Sequence, residues 1–207
     1  MASSSPGPHD AQEMLVSCLA AVCAAGFDNC GGPSDIESPE HRFRSFCEKT
    51  VNSDSIAQAL QNSAVIAMLS TALNCSRRPS VLLAGISMSA SRRPELRGPM
   101  FRAVWQSCLR FCASKEEDGL LRATAAKLVS VLALDDASAS AGEDDTGRLL
   151  ACLPETDDHS PGARSSADPV DMEVEHHILE ALSLLARHPK ISTAIASEPG
   201  IILVCAF

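Results

Sequence analysis

Two stretches of this chain carry one apolar pattern. Residues 56–69, Ile-Ala-Gln-Ala-Leu-Gln-Asn-Ser-Ala-Val-Ile-Ala-Met-Leu, align without a gap on residues 191–204 at a constant shift that carries Ile56 onto Ile191. Each reads as a short helix, a turn and the start of a longer apolar helix. A second likeness links Leu83–Leu96 to Ile178–Ile191. Both hold an apolar helix, a basic pair running into Pro (Arg92-Arg93-Pro94 and Arg187-His188-Pro189), then a charge and an aliphatic residue. Leu128-Val129-Ser130-Val131-Leu132 fits between them. Ser87, Leu128 and Leu182 then become equivalent at spacings of 41 and 54 residues, the longer being one repeat plus an insertion. A unit of this length cannot bury its apolar face alone, so its copies must stack.

Composition agrees with a helical unit. Leu and Ala dominate, Tyr is absent and aromatics make up only 3%. Leu and Ala lose little freedom in helices, whereas pleated sheets draw on aromatic and β-branched residues. The fold class expected is all-α. Apolar stripes at steps of three and four predict helices over 63–75, 79–91, 99–113, 118–134 and 170–187. Leu121, Ala125, Leu128 and Leu132 form one buried set, and Ile178, Ala181, Leu182 and Leu185 another. Helix starts are expected at Asp10 (capping-box spacing to Glu13), at Ser38-Pro39 and at Asp168-Pro169. The organisation read from the chain is a disordered 1–9, helical repeats over 10–134, a flexible acidic insertion over 135–168 carrying one short helix, and a further repeat over 169–207.

The segment Ala181-Leu182-Ser183-Leu184-Leu185-Ala186-Arg187-His188-Pro189, followed by Ile195 and Glu198-Pro199-Gly200-Ile201-Ile202-Leu203, resembles an armadillo repeat. The likeness extends over roughly 52–134 and 170–207, about two and a half units of the armadillo and HEAT period. It implies a short α-solenoid that works as a protein-interaction scaffold or adaptor. Peptide-binding armadillo proteins carry Asn on the concave face. The matching positions here are Ser89, Ser130 or Val131, and Leu184, so a clamp on an extended peptide backbone is not implied. The sequence stops at Ile201-Ile202-Leu203-Val204-Cys205-Ala206-Phe207. Solenoids need polar terminal repeats, so this end is expected to continue in a longer chain or to be covered by a partner.

The net charge of −9 argues against general nucleic-acid binding. It is unevenly spread: the stretch Arg77–Arg110 holds seven Arg against Glu95 alone, +6, which leaves −15 elsewhere. Arg77, Arg78, Arg92, Arg93, Arg97 and Arg102 are therefore the candidate partner-binding patch. The partner expected is a protein with an acidic segment, or this chain's own acidic insertion. Nucleic acid is the lesser reading of the patch, because Phe101 and Trp105 read as core and leave no stacking surface. A helical subunit of an obligate complex is the other alternative. Arg77-Arg78-Pro79-Ser80 has the form of a basophilic kinase substrate, which makes Ser80 a candidate phosphorylation site at a helix start.

No catalytic, cofactor or metal site is expected. Gly85-Ile86-Ser87-Met88-Ser89 lacks the second glycine of a nucleophile elbow and lies in a helix. Cys108 and Cys112 share a helix face, without the paired spacing of structural zinc. Glu173 and His177, with His176 adjacent, lack a third placed ligand. The count of nine Cys, an N-terminus with no secretory features and no apolar run of membrane length point to an intracellular chain, in cytoplasm or nucleus, with buried thiols.

Overall fold

A computed structural model describes residues 7–27, 38–115, 117–153 and 168–197. Among these every regular element is helical, and no strand occurs. The α-helices are α1 (Pro8–Phe27), α2 (Pro39–Lys49), α3 (Asp54–Leu60), α4 (Ser63–Cys75), α5 (Pro79–Arg92), α6 (Arg97–Ala113), α7 (Gly119–Ala133), α8 (Glu143–Ala151), α9 (Pro169–Leu185) and α10 (Pro189–Ser197). Short 3-10 turns occupy Thr50–Asn52, Pro94–Leu96 and Asp136–Ser140. The chain divides into two compact units, residues 1–107 and 108–207, with the boundary inside α6.

Local chemistry explains most helix starts. Ser38 accepts the His41 N–H at 3.4 Å, with Pro39 in the first helical position of α2. Asp168 accepts the Val170 N–H at 2.9 Å and Asn62 the Ala64 N–H at 2.9 Å, opening α9 and α4. One start differs from expectation. Helix α1 begins at Pro8, so Pro8 and His9 are helical and Asp10 lies in the first turn rather than capping it. Proline's fixed φ suits the first helical position, and the Ala11 N–H already bonds the Gly7 carbonyl at 2.9 Å. Residues 1–6 lie outside the described part.

In the first unit α4 lies beside α1 and α5 beside α2. Contacts at both ends fix their direction. Gln12 accepts from Asn62 at 3.0 Å near the start of α1 and α4, and Cys23 meets Cys75 at their far ends. Glu40, in the first turn of α2, accepts from Ser76 at 3.0 Å, three residues before α5. At the other end Arg93 donates to the Thr50 carbonyl at 3.2 Å. Both pairs therefore run parallel. Leu15, Leu19, Val22, Phe43, Leu69, Leu73, Leu82 and Ile86 are buried between these helices, and α3 adds Ile56 and Leu60. Gly85 is the close point of α2 and α5. A Cβ there would sit 3.2 Å from Cys47 Sγ and 3.3 Å from Arg44 Cα, so the missing side chain lets the two backbones approach.

The second unit repeats the arrangement with α7 and α9. Arg122, near the start of α7, pairs with Asp171 in the first turn of α9 at 2.8 Å. Past the C-terminus of α9, Arg187 donates to the Ala133 carbonyl, the last residue of α7, at 3.0 Å. These helices too run parallel, with Gly119 against Val170: an added Cβ would lie 2.9 Å from Val170 Cγ1. Both predicted apolar sets of this unit are buried. The acidic stretch holds more structure than the one short helix expected. Asp135 accepts the Ala137 N–H at 2.8 Å, starting the 3-10 turn before α8, and Leu149 of α8 is fully buried. Residues 154–167 lie outside the described part.

The internal likeness can be followed halfway. The short helix α3 begins at Asp54 and α10 at Pro189, equivalent positions in the alignment, and each buries its matched aliphatics, Ile56 with Leu60 and Ile191 with Ile195. The second half of that copy, residues 198–204, lies outside the described residues.

Candidate functional site

The six arginines do not make one patch. Arg77 and Arg78 precede α5 and Arg92 and Arg93 end it, so roughly 20 Å of helix separates the two pairs at 1.5 Å per residue. Arg93 is committed to its own chain: it bonds the Thr50 carbonyl, pairs with Asp54 at 2.8 Å and reaches Glu95 at 3.4 Å. Those two carboxylates hold its guanidinium above its ordinary pKa, Asp54 contributing most. Arg97 donates to the Ala90 carbonyl at 3.0 Å, closing the end of α5. Arg77, Arg92 and Arg102 are exposed. Phe101 and Trp105 are buried with ring centroids 4.5 Å apart, and so present no face for a base to stack on.

Ser80 is the second residue of α5 and is half-buried. Arg78 takes the cap position without a side-chain cap bond, and its N–H is held by Ser76 Oγ at 3.0 Å. The positive end of the helix dipole and two preceding arginines make this position favourable for a phosphate. Ser87 and Ser89, by contrast, are buried. Ser89 Oγ lies 3.5 Å from both the Cys47 carbonyl and Thr50 Oγ1, so it ties α5 to α2.

Among the described thiols, Cys18, Cys47, Cys108 and Cys112 are core groups, and Cys23, Cys75 and Cys152 are half-buried. Cys47 and Cys108 are fully buried, and burial pushes each from 9.0 up to about 12. Burial also lifts Cys18 to about 11 against the opposing charge of Arg42, and its Sγ bonds the Pro39 carbonyl at 3.1 Å. Desolvation raises Cys112 as well, beside Cys108, Cys152 and Arg122. A thiol held in its neutral form is a poor nucleophile and a poor metal ligand.

Two concavities open between helices. One of about 400 Å³ opens between α1 and α2 and is lined by Met14, Cys18, Ala21, Pro39, Arg42 and Phe46. A smaller one of about 240 Å³ lies between α8 and α10.

One side-chain cluster was only half visible in the sequence. On α9, His176, His177 and Glu180 bring three donor atoms within 4.8 Å of one another. His177 sits between two carboxylates, with Nδ1 3.4 Å from Glu180 Oε2 and Nε2 4.0 Å from Glu173 Oε1. Glu180 is the ligand missing from the reading of Glu173, His176 and His177. Its spacing of four from His176 was the available signal. No single described helix is long and apolar enough to cross a membrane. Comparison with known protein families, curated proteins and solved structures finds no match to this chain.

Proposed function

We propose that this chain is a segment of an armadillo-like α-solenoid that binds another protein and carries out no catalysis. The observation that carries the reading is the repeated parallel pairing, α2 with α5 and α7 with α9. Each pair meets at a glycine and is closed at its C-terminal end by an arginine on a backbone carbonyl. The same device in two places is what duplicated stacking modules leave behind, since each copy must cover its neighbour's apolar face. The element order short helix, helix, helix supports it, in α3–α4–α5 and again from the Pro94–Leu96 turn through α6 and α7. Buried thiols held neutral favour contact over chemistry.

The contact surface proposed uses the exposed Arg77, Arg92 and Arg102 toward an acidic segment of a partner, with Arg93 and Arg97 serving the fold. Phosphorylation of Ser80 would place negative charge beside Arg77 and weaken that contact. Partner capture with the full chain and with an Arg77→Glu, Arg92→Glu, Arg102→Glu variant tests the idea. The expected result is a protein partner whose capture falls with rising salt and is lost in the variant while helicity is kept. Capture unaffected by the three reversals, or a salt-sensitive affinity for RNA instead, would refute it.

A further inference from the structure

We infer that His176, His177 and Glu180 form a divalent transition-metal site on the solvent-facing side of α9. Spacings of four and three residues set the Glu180 carboxylate beside His176 and His177 on the helix surface. Their donor atoms already lie within 4.8 Å of one another. Zinc bonds to nitrogen and oxygen run about 2.0–2.2 Å, which in tetrahedral geometry puts two ligands of one ion roughly 3.4 Å apart. His176 and Glu180 are exposed, so their side chains have room to turn toward that separation.

His177 is the anchor. Its side chain is only 17% exposed, and a carboxylate stands at each ring nitrogen. When one nitrogen binds a metal, the other can donate its N–H to the neighbouring carboxylate, which orients the ring and raises its basicity. Glu173 supplies that partner. The two ring centroids are 5.3 Å apart with their planes tilted by 58°, so the imidazoles are not stacked flat against each other.

The donor set selects the ion. Two imidazoles favour zinc, copper or nickel over magnesium or calcium, which take oxygen ligands. Two neutral imidazoles and one carboxylate leave a divalent ion with one uncompensated charge, and Glu173 lies close enough to offset it. Three protein ligands leave the fourth tetrahedral position open, to water or to a side chain of a bound partner.

Calorimetric titration of the full chain with zinc chloride, paired with cobalt(II) absorption, tests the site. The expected result is saturation by one ion, a cobalt spectrum without a thiolate charge-transfer band, and affinity weakened roughly 10-fold or more in His176→Ala and in Glu180→Gln. Both positions are exposed, so circular dichroism should show intact helix in each variant. His177→Ala should abolish the site. A thiolate band, or a titration unchanged in His176→Ala and Glu180→Gln, would assign the bound ion elsewhere and overturn the inference.

Discussion

Cys47 is a fully buried thiol of the first unit. It is buried against Gly85 and shares its carbonyl with Ser89. Burial moves it from 9.0 up to about 12. The folded state therefore holds this proton more tightly than the unfolded chain. Its contribution to stability is complete below pH 9.0 and is lost as the pH rises through about 12. Urea midpoints measured across that window should fall, and the fall should be smaller in Cys47→Ala. That Cys18, Cys47, Cys108 and Cys112 are core residues was legible from their helical spacing. That Cys47 faces a glycine on another helix was not, because the contact joins residues far apart in the chain. Glu180 was hidden differently, for it lies only one turn from His176. A helix face is legible one turn at a time, but a ligand set emerges only once side-chain directions are known.

At the scale of elements, α5 and α7 depend on glycine for opposite reasons of position. Gly85 lies mid-helix, where its backbone freedom costs about 1 kcal/mol relative to Ala, and close approach of α2 offsets that. Gly85→Leu should destabilise by about 1–3 kcal/mol, because the new side chain meets Arg44 backbone and Cys47. Denaturant unfolding monitored by helicity would report the change. The closures are the second testable feature. Arg187→Ala removes the bond to the Ala133 carbonyl and should cost about 1 kcal/mol. Arg93→Ala should lower the melting temperature of the first unit, while exposed Arg92→Ala leaves it unchanged. The sequence carried the basic pairs before Pro94 and Pro189 as a repeat signature. It could not say that the closing residue is the second of the pair in one copy and the first in the other. Helix limits were read closely where a cap or proline marks them, as at Ser63–Cys75, and missed at Pro8, where the Asp10 capping-box spacing put the start two residues late.

For the molecule as a whole, proximity along the chain was a poor guide to proximity in space. The arginines cluster by number, yet α5 carries them to opposite ends. If an acidic partner spans both ends, the affinity losses of Arg77→Glu and Arg92→Glu should add to within about 0.5 kcal/mol, as expected for sites more than 10 Å apart. A titration of the single and double variants decides this, and strong coupling would mean that one compact patch exists after all. The parallel sense of the helix pairs has an electrostatic consequence. Aligned peptide dipoles leave roughly half a negative charge at each C-terminus, so two neighbouring ends together hold about one unit. At the α2–α5 and α7–α9 junctions a guanidinium, Arg93 or Arg187, stands against that charge. Of the seven arginines between Arg77 and Arg110, Arg93 and Arg97 are thus spent on backbone carbonyls, and the field projected into solvent is weaker than the count of arginines suggests.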